Sequence, residues 1–122
     1  MSEPQIISRA IISHILKAWL GSEMLPEEVQ HWAEIRFNSG AFELDDWEDQ
    51  GSIANETLAL LDTLDLNLIM EDDIPALLEM LDTPPGKFEA GFAKWQEYFR
   101  TVDIKKRAQD LAERDPYAPY CK

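Results

Sequence analysis

Apolar residues recur every three or four positions along most of this chain, and this spacing constrains its fold more than any other feature. The clearest example is a set of aromatic residues spaced by four, three and four: Phe88, Phe92, Trp95 and Phe99. Side chains at this spacing share one face of an α-helix, whereas the strict alternation of a half-buried strand is almost absent. The pattern predicts an all-α fold, a compact bundle of five to six helices with short connections.

Prolines, glycines and capping residues predict where these helices begin and end. The first helix is expected over residues 3–20, with Ser2 as its cap. Its inward face is expected to include Ile7, Ile11 and Ile15. The later helices are predicted over about 26–38, 52–64, 72–82 and 88–102, with a sixth after Asp103.

Two segments break the helical pattern. Residues 66–70 alternate polar and apolar side chains as a short strand does, but a lone strand has no ladder partner, so we expect a connector. Residues 116–122 contain two prolines and two tyrosines and predict an extended C-terminal tail. One helical domain over residues 1–115, followed by this tail, suits a chain of 122 residues.

Negative charge is concentrated in the middle of the chain. The net formal charge is −13, and residues 37–86 contain thirteen Asp and Glu residues but no Lys or Arg. A field of this sign repels phosphate backbones and anionic lipids, because binding either of them depends on Lys and Arg. We therefore expect no direct binding of nucleic acids or membranes, and the partner that such a surface attracts is a basic protein.

The chain also lacks the patterns of export and of a membrane span. Its longest apolar stretch, residues 6–20, is interrupted by Arg9, His14 and Lys17 and is too short and polar to cross a bilayer. Its first residues do not form an export signal, and the single cysteine, Cys121, has no partner for an intrachain disulfide. These features predict a cytoplasmic protein.

Two acidic segments contain the predicted partner-binding residues. In residues 42–49 two aromatic side chains are surrounded by carboxylates, and binding hot spots favour an aromatic anchor inside a polar rim of one sign. The second segment, residues 71–73, is the start of the fourth helix. The predicted docking face consists of Phe42, Glu43, Asp45, Asp46, Trp47, Glu48, Asp49, Glu71, Asp72 and Asp73. An alternative role for the two aromatic residues is to pack the loop onto the bundle.

Paired carboxylates suggest a second hypothesis, a metal-dependent hydrolase. Asp62 and Asp65 are one helical turn apart, and Glu79 and Asp82 are one turn apart further along. If these faces met, the four carboxylates would hold Mg²⁺ or Mn²⁺ and activate water to hydrolyse a nucleotide or phosphoester. Residues 37–86 supply no cation for a phosphate, and the chain has no glycine-rich phosphate loop or nucleophile motif. We therefore expect no bound metal, no cofactor and no catalytic residue.

The sequence thus favours a non-enzymatic module that binds a basic protein through an acidic face. Bacterial immunity proteins that neutralise nuclease toxins are of this physical type, because they are small, acidic and often helical. An immunity or inhibitor role is our leading hypothesis, on the grounds of charge and size alone.

Overall fold

Helices dominate the structure. The computed structural model describes residues 5–39, 42–44, 46, 48 and 51–121. In chain order the elements are β1 (Gln5–Ile7), α1 (Arg9–Leu20), α2 (Pro26–Ser39), β2 (Phe42–Leu44), α3 (Ile53–Asp62), α4 (Leu64–Asn67), α5 (Ile74–Leu81), α6 (Phe88–Arg100) and α7 (Ile104–Leu111), with 3₁₀ turns at Glu71–Asp73 and Ala118–Tyr120. Six of the described helices have eight or more residues, which confirms the predicted all-α bundle. None of the helices in this part of the chain is long and apolar enough to cross a bilayer.

The chain begins differently from the predicted first helix. β1 pairs in parallel with β2, and α1 and α2 form the crossover that parallel pairing requires. α1 begins only after Ser8, whose hydroxyl accepts a hydrogen bond from the backbone N–H of Ile11 at 3.1 Å. The predicted helix start at residue 3 was therefore wrong, and its predicted cap, Ser2, lies outside the described residues. Consecutive isoleucines favour extended backbone where a partner strand is available.

The buried face of α1 leaves out one residue that was predicted to face inward. Ile12, Leu16 and Trp19 are buried, whereas Ile11, which was predicted to face inward, is 36% exposed. Apolar residues lie on more than one side of this helix, so their spacing alone does not determine which side is covered.

Helix α3 occupies the centre of the bundle and contacts α1, α2, α5 and α6. The Ser52 hydroxyl accepts a hydrogen bond from the backbone N–H of Asn55, which confirms Ser52 as the helix cap. Five residues of α3 are buried: Ile53, Ala54, Thr57, Leu58 and Leu61. The predicted helix after Pro26 is likewise confirmed, with Val29 and Ala33 buried against this centre.

The segment predicted as a connector is partly helical. Its first residues complete the single turn of α4, which ends at Leu68 with a φ of 56° in the left-handed region. This conformation is unfavourable for leucine, but the side chain is only 5% exposed, so its burial offsets the backbone cost. Ile69 follows in the core, and the chain then enters α5.

The C-terminal residues do not form the extended tail that their prolines predicted. A 3₁₀ turn covers Ala118–Tyr120, and the preceding Tyr117 is fully buried. Its hydroxyl donates a hydrogen bond to the carbonyl of Ile69 at 2.5 Å. The tyrosine supplies a large apolar ring whose polar end has a partner, and this pairing holds residues 116–121 against the helices.

Gly91 of α6 packs closely against Thr83, which follows the end of α5. A Cβ atom at this position would lie 2.6 Å from Thr83 Cγ2 and 2.8 Å from Thr83 Cβ, well inside contact distance. Thr83 cannot move away at low cost, because it is buried and its hydroxyl donates to the carbonyl of Met80 at 2.6 Å. The glycine therefore permits the close packing of this pair of helices.

We predict that Gly91→Ala lowers the free energy of unfolding by about 2 kcal/mol, because the overpacking cost exceeds the gain of about 1 kcal/mol in helix propensity. Urea denaturation measures the change. Combining it with Thr83→Ala removes part of the clash, so the double variant should be more stable than the sum of the two single changes predicts. Additive effects would show that the contact does not limit the packing.

Candidate functional site

Asp46, a predicted docking residue, is occupied by contacts within the chain. Its carboxylate accepts hydrogen bonds from Arg9 Nε at 2.8 Å, from the backbone N–H of Ala54 at 2.9 Å and from the Ser52 hydroxyl. Burial alone would raise the pKa of Asp46, but the hydrogen bonds from Ser52, Arg9 and Ala54 outweigh it and hold the pKa below its ordinary value. Asp46 therefore joins α1 to the start of α3.

Glu48 has a similar role at the start of α6. Its two carboxylate oxygens accept hydrogen bonds from the backbone N–H groups of Gly86 at 3.0 Å and Phe88 at 3.2 Å. These groups have no partner within the helix, and a carboxylate also complements the positive end of its dipole. Arg9 lies 3.9 Å from the same carboxylate. The described acids of the loop thus hold three helices together.

Two predicted residues of the 71–73 segment are also engaged inside the molecule. Glu71 accepts hydrogen bonds from Trp19 Nε1 at 3.2 Å and from Arg114 Nη2 at 3.0 Å. Asp73 is fully buried and forms an ion pair with Arg107 at 2.6 Å. These contacts attach the segment to α1 and to the C-terminal part of the chain.

The second oxygen of Asp73 accepts a hydrogen bond from the Tyr98 hydroxyl at 2.7 Å. Burial, followed by this bond and the charge of Asp73, raises the pKa of Tyr98 to about 12. The backbone N–H of Met70 also donates to Asp73 at 3.0 Å. Every oxygen of this buried carboxylate has a donor, so it links α5, α6 and α7 rather than offering itself to a ligand.

The structure therefore divides the predicted docking face. Its four internally bonded members are Asp46, Glu48, Glu71 and Asp73. Asp72 is exposed. The side chains of Phe42 and Glu43, and all of Asp45, Trp47 and Asp49, lie outside the described residues. The bonded acids stabilise the fold, whereas the role of the other members stays a prediction.

An acidic surface lies where α2, α3 and α4 meet. Gln30 donates a hydrogen bond to the carbonyl of Asp62 at 3.2 Å, which holds α2 beside the end of α3. Burial raises the pKa of Asp62, and the charges of Glu34 and Asp65 raise it further. We refer to Glu34, Asp62 and Asp65 as the α2–α4 acidic surface.

Two large apolar side chains directly follow acids of this surface in the chain. Ile35 follows Glu34 and is 52% exposed, and Leu66 follows Asp65 and is 57% exposed. Exposed aliphatic side chains beside carboxylates provide the combination of apolar contact and charge that protein interfaces use. Sequence reasoning missed both residues, because it assigned no role to Ile35 and placed Leu66 in the predicted connector of residues 66–70.

The carboxylates of the hydrolase hypothesis are not gathered into one site. Asp62 and Asp65 belong to the α2–α4 acidic surface, whereas Glu79 forms an exposed ion pair with Lys94 at 2.6 Å. Among the residues that the structure describes, no group of three or more His, Cys, Asp or Glu side chains is arranged to hold a metal ion. The hydrolase hypothesis therefore has no assembled site in this part of the chain.

A groove of about 670 Å³ runs between α5 and α6, and we call it the α5–α6 groove. Small and apolar residues lie along it: Ala76, Met80, Ala90, Gly91 and Trp95. Thr83 contacts Gly91 at the base of this groove, and Tyr98, which donates a hydrogen bond to Asp73, lines it as well. Its α5 side bears Glu79 and Asp82, and its α6 side bears Lys87 and Lys94.

Comparison of the chain with family models, curated proteins and solved structures finds no match.

We predict that Asp46→Asn lowers the free energy of unfolding by about 2 kcal/mol at pH 7, because it leaves Arg9 with only the more distant carboxylate of Glu48. Urea denaturation over a range of pH tests this. Since the pKa of Asp46 is lowered on folding, its stabilisation is present above the unfolded-state value of 3.8 and is lost as pH falls through the folded-state value. The difference between wild type and variant should therefore shrink below pH 3.8.

The control for this measurement is Asp110→Asn, which removes the same charge from an exposed position on α7. This control substitution should change the free energy of unfolding by less than about 0.5 kcal/mol. Equal effects of the two substitutions would contradict the structural role of Asp46.

Proposed function

We propose that this chain is a non-enzymatic binding module that docks a basic partner protein on the α2–α4 acidic surface. The observation that carries the proposal is the position of Asp62 and Asp65 beside α2, with the exposed side chains of Ile35 and Leu66 next in the chain to acids of this surface. By charge and size, an immunity or inhibitor protein that neutralises a basic toxin is the role that fits best, and we place its action in the cytoplasm.

Crowded carboxylates are unfavourable in the free protein. Burial and the charges of Glu34 and Asp65 all raise the pKa of Asp62, so ionised Asp62 costs stability at neutral pH. A lysine or arginine from a partner would reverse this cost. Binding surfaces often retain groups that destabilise the free protein, because the same groups stabilise the complex.

The exposed apolar residues supply the second half of the interface. Ile35 and Leu66 adjoin the acids in the chain and offer aliphatic surface that a partner would cover. Hydrophobic contact supplies most of the affinity of such interfaces, whereas charge determines the rate of encounter and excludes partners of the wrong sign. The partner should therefore present lysines or arginines around an apolar patch.

The remaining loop acids extend this proposal. Glu43, Asp45 and Asp49 carry the charge of residues 40–51 that is not committed to the contacts of Asp46 and Glu48. We treat them as a separate part of the docking face, tested by Glu43→Gln, Asp45→Asn and Asp49→Asn together. Asp46 and Glu48 are left intact in this variant, because changing them would destabilise the fold.

The binding test compares two variants of equal charge. Asp62→Asn with Asp65→Asn removes two charges from the α2–α4 acidic surface, and Glu97→Gln with Glu113→Gln removes two exposed charges from α6 and from the residues after α7. Proteins captured by the immobilised wild-type chain from the source cells are purified and titrated by calorimetry. We expect a basic partner whose affinity falls at least about tenfold for the first variant and less than about twofold for the second.

Salt provides a further check on the same complex. Affinity for the wild type should fall as the ionic strength rises, and the slope should be shallower for the Asp62 and Asp65 variant because fewer exposed charges take part. Equal losses in the two variants would indicate unspecific attraction to net charge. That result, or a captured partner that is not basic, would refute the proposal.

We also predict that Asp62→Asn raises the melting temperature at pH 7. The pKa of Asp62 is raised on folding, so its contribution to stability is favourable below the unfolded-state value of 3.8 and is lost as pH rises through the folded-state value. The variant should therefore be more stable than wild type at neutral pH and equal to it near pH 3, as followed by circular dichroism. A lower melting temperature at pH 7 would show that Asp62 stabilises the free fold.

A further inference from the structure

We infer that the α5–α6 groove is a second docking site, which takes an amphipathic helix of a partner protein with one basic and one acidic flank. This site is separate from the α2–α4 acidic surface. It differs from that surface in chemistry, because its two sides carry opposite charges.

The shape of the groove fits a helix. On each side the lining residues recur at spacings of three and four, so the groove lies between two helical stripes, as helix-binding grooves do. From Lys87 to Tyr98 the α6 stripe extends about 16 Å at 1.5 Å per residue. A helix of this length and about 10 Å in diameter has a volume of about 1,300 Å³. The groove of about 670 Å³ would therefore accept about half of its cross-section.

The residues along the groove leave room for an apolar ridge on the incoming helix. Ala76, Ala90 and Gly91 carry little or no side chain, so larger aliphatic residues of the partner would fill the space above them. Trp95 and Met80 are almost fully buried and supply an apolar base. Gly91, one of these small residues, also lets Thr83 pack against α6.

Charge complementarity determines the flanks of the helix. Glu79 and Asp82 on the α5 side favour lysine or arginine, whereas Lys87 and Lys94 on the α6 side favour aspartate or glutamate. In the free protein Glu79 pairs with Lys94 between the two helices, at the surface and with both side chains largely exposed. An exposed pair of this kind is weak, so the helix would exchange it for two pairs of its own.

Three synthetic helical peptides of fourteen residues provide the probes. All have the same leucine and alanine ridge, and their flanks are respectively mixed, all lysine and all glutamate. Fluorescence anisotropy measures their binding to the wild-type chain. We expect the mixed peptide to bind at least about tenfold more tightly than either uniform peptide, because like charges at an interface are unfavourable.

Charge-reversed chains should change this preference in a defined way. Glu79→Lys with Asp82→Lys makes both sides of the groove basic and should favour the glutamate peptide. Lys87→Glu with Lys94→Glu makes both sides acidic and should favour the lysine peptide. A wild-type chain that binds none of the peptides, or all of them equally, overturns the inference, and so does an unchanged preference in the reversed chains.

A matched pair of substitutions locates the binding. Ala90 lies along the groove, and Ala93 is an exposed alanine of the same helix that does not line it. Ala90→Trp should fill the groove and abolish binding of the mixed peptide. Ala93→Trp should leave this binding unchanged. The two variants should have equal melting temperatures. Equal binding by the two variants would overturn the inference. A wild-type dimer that Ala90→Trp dissociates in sedimentation would also overturn it, because a second copy would then occupy the groove.

The proposals for the two docking sites can be refuted independently of each other. Asp62→Asn with Asp65→Asn should leave binding of the mixed peptide unchanged, and Ala90→Trp should leave capture of the basic partner unchanged. Loss of peptide binding in the Asp62 and Asp65 variant would place the peptide on the α2–α4 acidic surface and overturn the groove assignment.

Discussion

The ion pair between Arg9 and Asp46 is the contact on which the arrangement of the helices most depends. Arg9 also donates through Nη1 to the carbonyls of Leu81 at 3.3 Å and of Thr83, at the end of α5. Asp46 satisfies the first backbone groups of α3, and Glu48 beside it satisfies those of α6. One guanidinium and two carboxylates therefore position the starts of α1, α3 and α6 against the end of α5. Because α5 and α6 form the groove, its geometry is determined at this point as well.

The acids of this chain lie in two different electrostatic environments. Acids from the cation-free segment 37–86 form ion pairs with cations from outside it, as Arg107 does with Asp73 and Arg114 with Glu71. These pairs attach the C-terminal helices to the centre of the molecule, and the pair of Arg107 with Asp73 is largely shielded from solvent. On the α2–α4 acidic surface, burial and the charges of Glu34 and Asp65 raise the pKa of Asp62 instead. The net charge of the chain does not show which acids lie in which of these two environments.

Sequence reasoning predicted most of the helices but not the contacts that acids such as Asp46 make inside the molecule, for physical reasons. Periodic spacing predicts α6 and the local cap Ser52 predicts the start of α3, and both signals are readable from neighbouring residues. Whether Asp46 faces solvent depends on Arg9, which is 37 positions away in the chain. Similarly, prolines in residues 116–122 indicate only that no regular helix continues. They do not reveal that the ring of Tyr117 fills a space beside Ile69. Long-range contacts of this kind have no local pattern.

The contact between Gly91 and Thr83 also has an evolutionary meaning. Since a side chain at position 91 would occupy the space of the threonine, the two positions are not free to diverge independently. A homologous sequence with alanine at 91 should carry a smaller residue at 83 or have its helices further apart, and the latter would widen the groove. Paired changes at these positions would thus record how the width of this groove was altered among descendants of a common ancestor.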